Sequence, residues 1–347
     1  MNFVKATQKY EAWIGGYLKL IPQDLEGKHA AMRSSPFPFL RATYYRWAQI
    51  WCDVCGAAAR APKVLAVGDL HIENFGTWRD IEGRLIWGTN DFDEAAYLPY
   101  TNDLIRLSTS VLLAEMSCDA KSAIAAILEG YRDGIASGGK PFVLAEHHPT
   151  LRAMAVHRLH DPEAFWERLH DLPECQDVPR SAYKAIGRLM PERGIDWKVV
   201  HRIAGLGSLG RERYVGLAQW HGGSVAREAK ALAPAVWQSG PILYQKILDT
   251  AVRCRDPFVR LQKRWIVRRL APDCSRIELS ALPKERDEFR LLHAMGFETA
   301  NVHLGSIGPK TLRDDLQRHR GLWLYQAARA MEKAVLADFS AWVTAGA

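Results

Sequence analysis

The chain has 347 residues, of which 48% are hydrophobic and 24% charged, with a net charge of +7. That length allows two lobes around a sizeable core, and the ordinary balance of apolar and charged residues excludes a disordered chain. The absence of any membrane-length apolar run excludes a helical membrane span.

The N-terminus, MNFVKATQKYEAWIGG, has neither an apolar core nor a cleavage site, so a cytoplasmic protein is expected. The six cysteines form no even framework, and Cys52-Asp-Val-Cys55 has no second CxxC to complete a zinc site. Helix-like spacing covers Asn2–Leu20 and Phe39–Arg60, separated by Ser35-Pro36-Phe37-Pro38. Lys63–Val67 and Arg84–Trp87 read as short strands, the second after a turn signal at Glu82-Gly83. From Asp103 to Ile135 the pattern is helical again, with Leu104, Leu107, Val111 and Leu112 on one face, followed by helical segments at Pro162–Leu169 and Arg180–Leu189.

The period then changes. Trp197–Ile203, Arg213–Gln219 and Ser224–Ala229 alternate like strands, a helix is predicted over Pro241–Cys254, and Trp265–Leu270 with Arg276–Leu279 read as a hairpin around Pro272-Asp273. Helices near Lys284–His303 and Pro309–Val343 close the chain.

Two acidic segments carry the chemistry. Asp69 and Asn74 stand five apart in G-D-L-H-I-E-N, and Asn90-Asp91-Phe92-Asp93-Glu94 follows the predicted strand. Carboxylates and an amide on loops at strand ends suit a hard divalent cation with a phosphate, and point to phosphoryl transfer. Gly205-x-Gly207-x-x-Gly210 alone is weak evidence, because dinucleotide-binding folds use the same spacing. Those folds need a helix opening at the last glycine, whereas Arg213–Leu217 is strand-like. Strand, glycine turn, strand describes a flap over phosphates, and Lys230 at the end of the next strand has the reach to meet them.

Eight basic residues fall between Arg253 and Arg276 (Arg253, Arg255, Arg260, Lys263, Arg264, Arg268, Arg269 and Arg276) against Asp256 and Asp273. Such a stripe suits a polyanion, but no aromatic platform or nucleic-acid motif surrounds it, and a solvated helix face and strand is the favoured reading. His147, His148, His157, His160 and His170 fit no compact zinc pattern.

These motifs support a named resemblance. The G-D69-L-H-I-E-N74 segment resembles the catalytic loop of the protein-kinase-like superfamily, closest to its aminoglycoside and choline kinase branch. N90-D91-F-D-E-A95 is similar to that branch's metal-binding motif, and Asp103 with Leu104 and Leu107 to the helix after it. More specifically the chain resembles a bacterial family, domain of unknown function 2252, through M32-R-S-S-P-F-P-F-L-R41, the two acidic loops, G205-L-G-S-L-G210 and the Lys230 strand, with weaker support from Arg268-Arg269-Leu270 and Ala300-Asn-Val-His303.

The resemblance implies an α+β, two-lobed kinase-like fold. Because the catalytic loop precedes the glycine loop, it also implies a circular permutation: residues 1–195 as a helical lobe, 196–283 as a nucleotide-covering antiparallel sheet, and 284–347 as helices rejoining the first lobe. It implies ATP and Mg²⁺, with Asp69 as base, Asn74 and Asp91 as metal ligands, and Asp93 as a second-metal or water-bridged ligand. Lys230 and the turn Gly205, Gly207, Ser208 and Gly210 would hold the nucleotide. His71 would orient the catalytic loop, Glu73 would neighbour the site, and Arg41 would form a salt bridge. Gln245 stands nearest to where the superfamily keeps a glutamate for the lysine. An unknown hydroxyl acceptor is implied. A nucleotide-binding pseudokinase or an AMP transferase is the alternative, and a nucleic-acid binder a distant one.

Overall fold

The computed structural model describes residues 2–114, 116, 118–144, 146, 148–156, 161–274 and 288–346, the side chains of 154–156 excepted. Four helices open the chain: α1 (Phe3–Gly15), α2 (Pro22–Ser34), α3 (Pro36–Ala42) and α4 (Tyr44–Cys55). Asn2 caps α1 by accepting from the Lys5 amide at 3.0 Å. The Pro-rich separator is narrower than expected. Only Ser35 breaks the helix, and Pro36 begins α3, because a first-turn proline has no intrahelical bond to lose. Helix α2 has no apolar stripe to read; its buried positions are Asp24, Lys28 and Met32.

Strands β1 (Lys63–Ala66), β2 (Phe75–Arg79), β3 (Leu85–Thr89) and β4 (Ala96–Pro99) follow. β1 pairs antiparallel with β4, and β2 with β3 across the Glu82-Gly83 turn, so each acidic loop is held at the end of a strand. β2 and β4 were not expected. The single helix predicted over 103–135 is two, α5 (Thr101–Leu113) and α6 (Ala120–Ser137), the second capped by Asp119. A two-residue strand, β5 (Phe142–Val143), joins β3, and α7 (Pro149–Val156), α8 (Pro162–His170) and α9 (Arg180–Gly187) lead to the sheet.

That sheet contains β6 (Trp197–His201), β7 (Arg213–Trp220), β8 (Gly223–Ala231), β9 (Arg260–Gln262) and β10 (Trp265–Leu270), in the order β6-β7-β8-β10-β9 with every neighbour antiparallel. α10 (Tyr244–Thr250) is shorter than the predicted 241–254. Leu169 of α8 covers one face with Val200, Val215, Leu217, Ala226 and Leu270, while α9 packs on the other. β10 pairs with β8 and with the preceding β9; the predicted partner at 276–279 lies outside the described residues.

The last helices are α11 (Glu288–Leu304), α12 (Pro309–Leu316) and α13 (Trp323–Ala345), the predicted 309–343 helix being interrupted by a turn through Gly321. α11 lies along α6 so closely that a side chain on Gly130 would meet the His293 carbonyl, and one on Gly296 the Ile127 carbonyl. α13 packs on α1, α4 and α5. The chain is thus mixed α and β with antiparallel sheets. Among the described residues no helix is long and apolar enough to cross a membrane.

Candidate functional site

The loop after β1 is moulded by one face of α5. Asp103 accepts from the amides of Val67 (2.7 Å) and Gly68 (3.0 Å), and Asn102 Nδ2 donates to the Gly68 carbonyl at 3.0 Å. One turn on, Arg106 Nε donates to Asp69 Oδ1 at 2.7 Å; a further turn on, Ser110 Oγ accepts from the Ile72 amide at 3.1 Å. All four of these α5 side chains are fully buried. Asp103 is braced from behind by His303 Nε2 at 3.0 Å, and His303 Nδ1 by the Tyr131 hydroxyl at 2.9 Å. Within the loop Asn74 Nδ2 donates to the Asp69 carbonyl at 2.6 Å, and His71 Nδ1 accepts from the Glu73 amide at 3.2 Å. Arg41 forms the expected salt bridge, to Glu73 at 2.6 Å.

The second acidic loop is attached to the first. The Asn90 amide donates to the Asn74 carbonyl at 2.9 Å, and Gly68, at φ +83°, faces the Glu94 carbonyl so tightly that no Cβ would fit. From the sheet, Lys230 Nζ reaches Asp93 Oδ1 at 2.6 Å and Asp91 Oδ1 at 3.4 Å. Burial pushes the Asp93 carboxyl up, and the neighbouring Asp91 adds to this against Lys230 and Arg211. Burial likewise pushes Asp69 up, opposed by Arg106. Gln245 takes no part: it bonds Asp249 and the Leu261 amide.

The glycine turn closes the site from the other side. A Cβ on Gly207 would lie 3.1 Å from the Arg41 carbonyl and 3.5 Å from Asp69 Oδ2, so the turn backbone passes close to both. Ser208 Oγ accepts from Arg213 Nη2 at 2.7 Å, and Arg213 Nη1 donates to Glu228 Oε1 at 2.8 Å. Glu228 also binds Arg202 and Arg268, each at 2.7 Å. Burial alone would raise its carboxyl; Arg213, Arg268 and Arg202 overcome that and hold it well below the usual carboxylate range. From α2, Lys28 Nζ donates to the Gly207 carbonyl at 3.2 Å, with its ammonium pushed down to about 8 by burial and by Arg211.

The structure therefore brings Asp69, His71, Asn74, Asp91, Asp93, Gly205, Gly207 and Ser208 around one cavity, with Lys230 bonded to its acids. Gly210 sits behind it, against Leu25. Sequence reasoning missed Arg106, and also Arg211, which joins Asp93 (3.5 Å), Glu94 (3.1 Å) and the Tyr10 hydroxyl (3.1 Å). Glu94, which the sequence placed in the acidic segment without a role, has its carboxyl raised by burial to about 7 against the pull of Arg211. The available signal for Arg106 was a charge inside an apolar run, L-I-R-L, whereas Arg211 stands in G-R-E-R, where a charge is unremarkable.

The cavity beside Asp69 holds about 40 Å³, room for an ion with a few waters. Across Gly205 it adjoins a cleft of about 440 Å³ between the sheet and β2, within the usual range for small-molecule sites, roughly 300–1,000 Å³. Arg168, Arg202, Arg268 and Arg269 line this cleft with Asn90 and Phe92. Arg253 lines it as well, held over the rings of Trp78 (4.5 Å) and Phe92 (5.2 Å).

Among the described residues no three His, Cys, Asp or Glu side chains form a metal cage. Asp91, Asp93 and the Asn74 amide offer the cavity oxygen donors, the ligand type that hard cations take. The basic stripe is not a free helix face: Arg255 pairs with Asp249, Arg264 with Glu212, Arg268 with Glu228 and Arg269 with Asp273. Of the histidine group, His147, His157 and His160 lie outside the described residues, as does Arg276 of the stripe.

A family model described as an uncharacterized protein conserved in bacteria, DUF2252, matches residues 20–164. The match is narrower than the resemblance over roughly the whole chain: it takes in both acidic loops and ends before the glycine turn and Lys230. No curated protein and no solved structure matches the chain.

Proposed function

We propose that the chain is an ATP- and Mg²⁺-dependent phosphotransferase of circularly permuted, kinase-like fold, acting on a hydroxyl acceptor. The observation that supports this is convergence: Asp69, Asn74, Asp91 and residues Gly205–Ser208 of the glycine turn line one cavity beside a cleft of about 440 Å³, and Lys230, more than 160 residues after Asp69, is bonded to its acids. Phosphoryl transfer asks for that arrangement, since it depends on positioning and charge neutralisation more than on covalent work by the protein.

In this reading the nucleotide base and ribose occupy the arginine-lined cleft, and the phosphates run under Gly207 and Ser208 toward Asp69. Lys230 pairs with the phosphates, giving up part of its hold on Asp93. Asn74, Asp91 and Asp93 hold Mg²⁺, whose bound charge neutralises the phosphate oxygens. Asp69 orients the acceptor hydroxyl and takes its proton through Oδ2 as the acceptor oxygen bonds to the γ-phosphorus; the bond to the bridging oxygen breaks, and ADP leaves. Because the cavity beside Asp69 is small, Gly205–Gly210 has to lift for the acceptor to enter.

Calorimetric binding of ATP, with and without Mg²⁺, to wild type and Asp91→Ala tests the core of this proposal. Wild type is expected to bind more tightly with Mg²⁺, and the variant to lose that gain; equal binding under all four conditions overturns the metal assignment. The closed cavity also favours a second reading, nucleotide binding without turnover. ATP labelled at the α or the γ position, offered to a panel of hydroxyl compounds and proteins, separates the outcomes. Retained γ-label means phosphorylation, retained α-label means AMP transfer, and no transfer means a pseudoenzyme.

A further inference from the structure

We infer that Arg106 is the positioning residue that fixes the rotamer of Asp69, a role resting on the phosphotransferase reading above. The side chain is fully buried on α5 and carries a permanent charge. Its guanidinium lies 4.9 Å from the ring centres of both Tyr44 and Trp47. Nη2 donates to the Leu40 carbonyl at 2.9 Å, so the group is tied to α3 as well as to its own helix. Tyr44, Trp47 and Leu40 together give it one orientation.

From that fixed position Nε and Nη2 both engage the same oxygen, Asp69 Oδ1, at 2.7 and 2.5 Å. Two donors on one oxygen set the carboxylate plane and leave the other oxygen without a guanidinium contact. That other oxygen, Oδ2, is the one beside Gly207 and facing the cavity. The arrangement divides the carboxylate into a held oxygen and a presented one. A base needs the second, and needs it stationary, because a misplacement of about 1 Å costs on the order of 100-fold in rate. The backbone of the loop does not depend on Arg106, since Asp103, Asn102 and Ser110 hold it independently. Within this loop Arg106 therefore acts on the side chain of Asp69, while its bond to the Leu40 carbonyl ties the guanidinium to α3.

The test compares wild type, Arg106→Gln and Arg106→Lys by three measurements: Mg-ATP affinity by calorimetry, phosphate transfer to acceptor or to water, and a crystal structure of Arg106→Gln. The expected result is transfer lowered at least about 100-fold in Arg106→Gln with Mg-ATP affinity within about threefold of wild type. Arg106→Lys, which keeps the charge but not the fork, should recover part of the rate, and the Arg106→Gln structure should show Asp69 in another rotamer. An unchanged Asp69 rotamer overturns the inference, as does an unchanged rate, or affinity and rate falling together. If Arg106→Gln does not fold, the same criteria apply to Arg106→Lys. A wild type that fails to bind Mg-ATP fails the phosphotransferase reading itself, and the rotamer measurement then decides the Arg106 contact separately.

Discussion

Lys230 Nζ lies 2.6 Å from Asp93 Oδ1, so the lysine of the sheet is paired with the acidic loop of the helical region. Among the described residues no helix glutamate takes this role: Gln245 is engaged elsewhere, and Glu228 of β8 is committed to three arginines. The two halves of the site are held together by this contact and by Arg211 with Glu94. Any anion entering between them must compete with a carboxylate for the lysine.

Replacing Lys230 by Met tests that competition. The variant loses the proposed phosphate partner and leaves Asp93 with Arg211 at 3.5 Å as its remaining ion-pair partner. Mg-ATP affinity should fall at least about tenfold, as expected when one partner of a buried charge pair is truncated. Calorimetry at matched pH measures it, and unchanged affinity would remove Lys230 from the nucleotide site.

Gly207→Ala examines how near the turn must come to Asp69. Its Cβ would stand 3.1 Å from the Arg41 carbonyl and 3.5 Å from Asp69 Oδ2, tight but accommodated by a small shift. Thermal stability should change by no more than about 1 kcal/mol. Transfer should drop at least about tenfold, because the added methyl occupies the path between the carboxylate and the phosphates.

Glu228→Gln leaves Arg202, Arg213 and Arg268 around a neutral amide, and breaking a buried charge network of this kind costs about 3–5 kcal/mol. The pH dependence follows from the depressed carboxyl. Its stabilisation is fully present above the unfolded value, about 4.3, and is lost as pH falls through the lower folded value. Denaturant midpoints taken between pH 6 and pH 3 should therefore fall more steeply for wild type than for Glu228→Gln.

Gly296→Ala forces α11 away from α6, since the new methyl overlaps the Ile127 carbonyl. Overpacking here should cost about 3 kcal/mol, the upper end of the usual range. Gly27→Ala on α2 is the control. Nothing lies within 4 Å of its Cβ, and stability should rise by about 0.5–1 kcal/mol. Urea midpoints for the pair read both signs in one experiment.

Much of this molecule was legible where hydrophobicity has a period. β6 and β7 follow from alternation, β1, β3, β8 and β10 from short strand-like runs beside turn signals, and α8, α9 and α11 lie within the predicted helical segments. Helix α2 was not, because the side chains it buries are Asp24 and Lys28 as well as Met32, each stabilised by a partner distant in sequence: His201 for Asp24 and the Gly207 carbonyl for Lys28. β2 and β4 were obscured by glycine in F-G-T-W-R and proline in A-Y-L-P, and owe their form to pairing with β3 and β1. Within the site, Asp69, Asn74 and Asp91 stood out because loops carry unusual acid spacing. Arg106 and Arg211 did not, because a buried arginine is defined by what surrounds it, and those neighbours come from α1, α3, α4 and both acidic loops.

The pairing of Asp103 with His303 bears on how the protein is made. Asp103 leaves the ribosome two hundred positions ahead of the imidazole that braces it. Through that interval the Val67 and Gly68 amides rest on a carboxylate whose own support has not been synthesised, and the seat for α11 along α6 stands open. The five-stranded sheet emerges in between. A nascent chain that already carries both acidic loops and the glycine turn thus still lacks His303, and the loop after β1 cannot complete its bracing until α11 has been made.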